Sequence, residues 1–377
     1  MLHEMIRNIP REVAVQKKEV RIENIMEIAA KDYTDISAIT AIGGLLHVNA
    51  QHKALGNRLP TPEEITKIGK GMDHATIPIA EKMFRKSRLR NVIIASEGKK
   101  DDAPFLKGEF GLFDGPRIEV VHDAIDGTSL IAAKQENAIS LISGSEKFGR
   151  IPAKDLYMVS ITGPARARNA MSLSLNKTGH KQTILNVCEE LGISPEELTQ
   201  VVLNPNKKGR EINNVFLEAG NELKVKNKII NAGDFMPRIF CSLSPAERLR
   251  YCLHNNLDPK EFLGHMIMVG RGGTPELSAA CAAGKITEAP TLAVIWNSDI
   301  NNIDTQNIFT TDRLVPGSKD STIVVASFAT ASSWLRQPGI QVDNNGNFSV
   351  KTMILTAQNG LEVVANAFSP KDLALIV

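Results

Sequence analysis

Ile118-Glu119-Val120-Val121-His122-Asp123-Ala124-Ile125-Asp126-Gly127-Thr128 is the stretch from which the rest of this chain can be read. Its apolar, β-branched start reads as a buried strand. The strand runs into two carboxylates three residues apart, then a glycine, then a hydroxyl. Taken alone, the D-x-x-D-G-T run leaves two readings open. One is an Asp-rich turn closed by a side-chain hydrogen bond. The other is half of a site for a hard, oxygen-seeking cation such as Mg²⁺ or Mn²⁺, because two carboxylates at a strand end repel unless a cation sits between them. Gly127 permits a tight turn, and Thr128 can cap the next helix or touch a phosphate.

Further acids stand at element ends. Glu97 follows directly on the apolar run Asn91–Ser96, and Asp101 and Asp102 follow on the same turn. Glu276 stands in Gly272-Gly273-Thr274-Pro275-Glu276, with Thr274 read as a helix cap and Glu276 two residues after it. A glutamate there suits the helix dipole and is also able to point outward at a metal. Asp73, in Gly71-Met72-Asp73-His74, reads as a helix N-cap. His74 and His122 are single, no Ser nucleophile elbow is present, and no P-loop or dinucleotide fingerprint occurs. Oxygen donors plus a hydroxyl point to metal-assisted phosphoryl chemistry.

Composition sets the bounds. The chain has 377 residues, 42% of them hydrophobic, enough for one large domain or two ordinary ones. A formal charge of +2 gives no bulk affinity for nucleic acid or membrane surfaces. Cys188, Cys241, Cys252 and Cys281 are widely spaced and read as reduced core thiols of a cytoplasmic protein. No apolar run is long enough to span a bilayer, and Met1 to Arg21 lacks the apolar core of a secretory signal.

Residues 1–20 read as an arm or an oligomer contact, 21–171 as an α+β unit carrying the D-x-x-D-G-T run, and 172–377 as an α/β unit. The last strands, from about residue 320, are expected to return to the first unit. The spacing predicts helices over Ile22 to about Leu55, with a weak point at Gly43-Gly44, after Thr61-Pro62-Glu63-Glu64, and from about Asp73 through Phe84. Helix starts recur at Ser194, Ser244 and Asp258. Strands are predicted at 91–96, 118–122, 138–143, 156–162, 201–203, 265–269, 322–328, 350–355 and 361–365, and a loop over 301–312.

The ordered set of motifs resembles the lithium-sensitive, metal-dependent sugar phosphatases of the inositol monophosphatase-like fold, and within them class II fructose-1,6-bisphosphatase. The likeness runs from about Ile68 to the C-terminus. It rests on Ser96-Glu97-Gly98-Lys99-Lys100-Asp101-Asp102-Ala103-Pro104, on Asp123 to Thr128, on Asp73 at 24 positions before Glu97, and on Asp155-Leu156-Tyr157-Met158, Gly233-Asp234 and Gly272 to Glu276. The resemblance implies a layered αβαβα fold and hydrolysis of a sugar phosphate, with fructose 1,6-bisphosphate first. Sedoheptulose 1,7-bisphosphate or another phosphosugar, or a non-catalytic phosphosugar-binding protein, is the alternative. It also implies Mg²⁺ or Mn²⁺ held by Asp73, Glu97, Asp123, Asp126 and Glu276, which replaces the cap reading of Asp73. Asp101 and Thr128 are implied to handle the attacking water, and Gly127 and Thr128 the phosphate. Tyr157 and Asp234 are implied to touch the sugar, and the segment with Lys207 and Arg210 is the loose counterpart of the family's grip on the distal phosphate. A homodimer or homotetramer is implied as well. Departures fall at Lys99, Ala124, Asp126 and Leu277, where the family carries glutamate, proline, glutamate and glycine.

Overall fold

A computed structural model describes residues 22–56, 58–97, 104–149, 157–207, 209–259, 264–295 and 308–374. The N-terminal arm, Lys99 and Asp101 lie outside the described residues. In chain order the elements are α1 (Ile22–Ala54), α2 (Pro62–Phe84), β1 (Arg90–Ser96), β2 (Gly108–Gly111), β3 (Arg117–Asp126), α3 (Thr128–Ala132), β4 (Ile139–Ser145), β5 (Tyr157–Thr162), α4 (Lys177–Leu191), β6 (Leu198–Leu203), α5 (Asn213–Glu222), β7 (Lys226–Ile230), α6 (Phe235–Ser242), α7 (Pro245–His254), β8 (His265–Gly273), α8 (Thr274–Thr287), β9 (Thr291–Ile295), β10 (Phe309–Thr310), α9 (Thr311–Leu314), β11 (Thr322–Phe328), β12 (Ile340–Val342), β13 (Phe348–Thr356), β14 (Gly360–Phe368) and α10 (Pro370–Ala374).

The strands form two mixed sheets. The first runs β12-β13-β11-β4-β3-β1-β2, with β14 also on β13, and only β1 and β3 are parallel in it. The second runs β10-β9-β5-β8-β6-β7, with β6 parallel to both its neighbours. Helices α1 and α2 cover the outer face of the first sheet, and α4 and α5 that of the second. Helix α8, with α6 beside it, lies between the sheets. This gives five layers, αβαβα. Sheet membership does not change at residue 172, where the composition shifts. β5 already belongs to the second sheet, and β11 to β14 pair into the first.

Local sequence explains most of these elements. Helix α8 is buried from Thr274 through Gly284, as a helix apolar all round must be, and its Ala279 to Ala283 run keeps the two sheets close. Helix α2 starts on a capping box, Thr61 Oγ1 accepting from Glu64 N–H and Glu64 from Thr61 N–H at 2.8 Å. Thr61→Ala is expected to cost about 1 kcal/mol in urea denaturation. The helix then continues unbroken to Phe84, so Asp73 is mid-helix and not at a second start. Nor is Gly43-Gly44 a weak point. Helix α1 passes through it, and the bare Gly43 lets α2 pack close, since a side chain there would meet Ile79. The Ser194 start closes a capping box around a single 3₁₀ turn and feeds β6 directly. The Asp258 start runs into residues outside those described, as do positions 301–307 of the expected loop, beyond which β10 and α9 form. All four cysteines are buried and unbridged. No described helix is long and apolar enough to cross a membrane.

Candidate active site

Parallel pairing of β1 and β3 brings two acids to one rim. Ser96 stands opposite His122, so Glu97 and Asp123 emerge side by side, and Glu97 N–H donates to His122 O at 3.3 Å. β3 then bulges against β4. Asp123 faces Leu141 and Asp126 faces Ile139, so three steps on one strand match two on the other. On a regular strand positions 123 and 126 point to opposite faces. The inserted residue turns Asp126 to the same face as Asp123. The strand extends through Asp126, four residues beyond the predicted end. Gly127 follows at φ +84°, a left-handed conformation that favours glycine, and Thr128 opens α3. Gly69 of α2 backs on Thr128, and a methyl at Gly69 would lie 3.5 Å from Oγ1.

The second sheet supplies the opposite wall. β8 leads into α8, whose N-cap is Gly273 rather than Thr274, which places Glu276 at the third helical position. Asp234 is the N-cap of α6, and the next amide, Phe235 N–H, donates to Asp126 Oδ2 at 3.2 Å. Glu97, Asp123 and Glu276 each offer an oxygen within 4.8 Å of the others, and so do Asp126, Asp234 and Glu276. Glu276 is shared by both groups. Asp73 is buried in α2 and is not in either of them.

The electrostatics are those of a cation site. Both Asp123 oxygens are buried without an N–H or hydroxyl donor, and the group they touch is another carboxylate, Glu97. Burial first, then the charges of Glu97, Glu276 and Asp126, hold the Asp123 carboxyl well above the ordinary range. Burial, then Asp234 and Glu97, raise Asp126, while Phe235 N–H and Arg238 oppose the rise. Acceptor-only oxygens crowded in this way fit one or more hard divalent cations. His122, by contrast, packs edge-on to Phe84 with ring centroids 5.6 Å apart, and burial pushes it down to about 3, so it stays neutral.

Above the carboxylates lies a cleft of about 150 Å³. Glu97, Asp126, Gly127, Thr128, Tyr157, Lys207, Arg210, Asp234 and Glu276 all line it, and Asp123 lies beneath. Its lining carries both signs, the acids together with Lys207 and Arg210. Partial desolvation, then the Arg210 charge, depress the Lys207 ammonium. Arg168 lies on the surface in an ion pair with Asp312 at 3.0 Å.

Two residues escaped the sequence reading. Arg238 is fully buried and donates from Nε to Asp234 Oδ2 at 3.0 Å and from Nη1 to Thr162 Oγ1 at 3.3 Å. Its signal was a lone charge in the apolar run Phe235 to Leu243. Arg271 stacks on Tyr157 and had no signal beyond its place in the glycine-rich turn. The glycines of that turn make room for acids. A side chain at Gly272 would collide with Asp234 Oδ2, and a methyl at Gly273 would lie 2.5 Å from Glu276 Oε2. Gly273→Ala is expected to lower Mn²⁺ affinity about 10- to 100-fold with the fold intact, read by Mn²⁺ titration and circular dichroism.

Residues 67–252 match the family described as bacterial fructose-1,6-bisphosphatase, glpX-encoded. Among curated proteins, the chain is 29% identical over 145 residues to the D-fructose 1,6-bisphosphatase class 2/sedoheptulose 1,7-bisphosphatase of Synechococcus sp. (strain CC9902), covering 37% of this chain and 42% of that one. It is 28% identical over 195 residues to the second such protein of Acaryochloris marina (strain MBIC 11017), covering 47% and 54%. The chain thus spans about half the length of the curated relatives it matches.

Proposed function

We propose that this chain, related through residues 67–252 to the bacterial fructose-1,6-bisphosphatases, is a divalent-metal-dependent phosphatase of a sugar bisphosphate. Fructose 1,6-bisphosphate is the first candidate substrate and sedoheptulose 1,7-bisphosphate the second. The observation that carries the reading is the pair of carboxylate groups joined at Glu276, in a cleft that Lys207 and Arg210 also line. A bisphosphate suits such a two-signed site, with the reacting phosphate over the acids and the other over the cations.

Glu97, Asp123, Asp126 and Glu276 would hold Mg²⁺ or Mn²⁺, with Asp234 within reach of Asp126 and Glu276. Such a cation supplies charge neutralisation and Lewis-acid polarisation of phosphate oxygens. Thr128, with the N–H groups of Gly127 and Thr128, orients the phosphate, and Asp101 takes the proton of the attacking water. Tyr157 and Asp234 contact the sugar. The acidic wall has a second consequence. Four to five crowded carboxylates cost a metal-free fold stability, which a binding protein without metal chemistry has no reason to retain.

The test is phosphate release from fructose 1,6-bisphosphate, sedoheptulose 1,7-bisphosphate, fructose 6-phosphate and p-nitrophenyl phosphate, with Mg²⁺, with Mn²⁺ and with EDTA. Turnover that favours a bisphosphate and is lost in EDTA is expected. Tight bisphosphate binding without release on any substrate would overturn hydrolysis in favour of a binding protein. A homodimer or homotetramer in the cytoplasm completes the proposal, and light scattering reads the assembly.

A further inference from the structure

We infer that Arg271 is a positioning residue that fixes the cationic end of the cleft and so sets the preference for a substrate with a second phosphate; the inference rests on the sugar-bisphosphate reading above. β8 lies antiparallel to β5, with Gly273 opposite Tyr157 and Arg271 opposite Val159. Tyr157 and Arg271 are therefore diagonal neighbours on one face of the second sheet. The Arg271 guanidinium carbon stands 4.0 Å from the centre of the Tyr157 ring, a cation–π contact. From there Nη1 reaches across and donates to the Gly209 carbonyl. Arg271 thus joins Tyr157, in the cleft wall, to the turn that carries Lys207 and Arg210.

Three details mark this bridge as built. Gly209 has φ +78°, and the space its side chain would fill is taken by the Arg271 guanidinium. Arg271 N–H donates to Asn213 Oδ1 at 3.3 Å, and the buried Asn213 donates from Nδ2 to Leu203 O at 2.9 Å, tying β8 to the end of β6 just before the turn. Arg210 is held at the far side of the turn, donating from Nη1 to Asn231 O at 2.8 Å. With both ends of the turn fixed, Arg271 determines how far Gly209, and with it the two cations, stands from Tyr157. A planar fork is needed to stack and donate at once, and a lysine does not supply one.

The experiment compares kcat/KM for fructose 1,6-bisphosphate and for p-nitrophenyl phosphate in Mn²⁺, in the wild type and in Arg271→Met, Arg271→Lys and Gly209→Ala. Each variant is expected to lose at least about tenfold more on the bisphosphate than on the simple ester, mainly through KM, because misplacing a binding group by about 1 Å can cost up to about a hundredfold. Equal losses on both substrates, or full rescue by Arg271→Lys, would overturn the inference. Calorimetric titration of fructose 1,6-bisphosphate against inorganic phosphate, with Mg²⁺ present, reads the same preference without turnover. A wild type that releases no phosphate, yet binds the bisphosphate with a preference that Arg271→Met removes, sinks the phosphatase reading and leaves this inference standing. No preference in the wild type, or one that Arg271→Met leaves intact, sinks the inference.

Discussion

Asp123→Asn is expected to abolish turnover, by at least about a thousandfold, and to stabilise the metal-free protein by about 1–2 kcal/mol. The two effects have one cause. Asp123 is buried, in contact with the carboxylate of Glu97, and within reach of Glu276. Without a cation its charge is unfavourable, and with one it is a ligand. The asparagine amide keeps the shape, drops the charge and offers donors to the neighbouring acids. A pH profile separates this from a packing effect. An acid whose folded pKa is raised binds its proton more tightly in the folded state. The fold therefore keeps that share of stability below about pH 4 and loses it as pH rises through the folded pKa. Asp123 and Asp126 are both raised. In EDTA, urea stability of the wild type should fall from pH 4 upward, and Asp123→Asn should flatten the fall. In Mg²⁺ the wild-type slope should reverse, because cation and protons compete for the same oxygens. A wild type whose stability in EDTA is flat from pH 4 to 8, with a variant no more stable, would show that the carboxylates do not strain the fold.

Glu97 and Asp123 were legible because each stands where an apolar run stops. Asn91–Ser96 ends at Glu97 and Ile118–Val121 runs into Asp123, and such breaks need no knowledge of tertiary structure. The layered fold was legible only through the whole ordered set of motifs. What stayed hidden depended on partners distant in sequence. The bulge that turns Asp126 toward Asp123 is defined by the register against β4, which no local pattern in β3 encodes. Asp73, two residues after Gly71, looks like a cap, but burial of Met72, Thr76, Ile77 and Ala80 carries α2 straight through it. β5 reads like the strands before it, yet pairs with β8 and β9, more than a hundred residues later. Gly272 and Gly273 read as a glycine-rich turn before Glu276. The space they open is taken by Asp234 and Glu276, which only the folded positions of those side chains reveal.

Arg238→Met is expected to destabilise the metal-free protein by about 3–5 kcal/mol, the cost of leaving a buried charge without its partner. Arg238 is completely buried on α6, one turn after Asp234, and its Nε donates to Asp234 Oδ2. It is a buried cation against the acidic wall, and its charge also opposes the rise in Asp126. Methionine fills much of the same volume, so a loss of this size is electrostatic rather than a cavity. Three measurements check that origin. The loss in urea denaturation should be smaller at pH 5 than at pH 8, because Asp126, kept protonated by its surroundings at low pH, gives up its proton as pH rises. Saturating Mn²⁺ should recover part of the loss, since an added cation takes over some of the compensation. Asp234→Asn introduced with Arg238→Met should also recover part, with a coupling of about 1–3 kcal/mol in the double-mutant cycle. A loss of the same size at both pH values, with and without Mn²⁺, and strictly additive with Asp234→Asn would mean that Arg238 only fills space. The carboxylates would then have to be stabilised by metal alone, and the apo protein at pH 8 should be as unstable in the wild type as in the variant once packing is matched by Arg238→Leu.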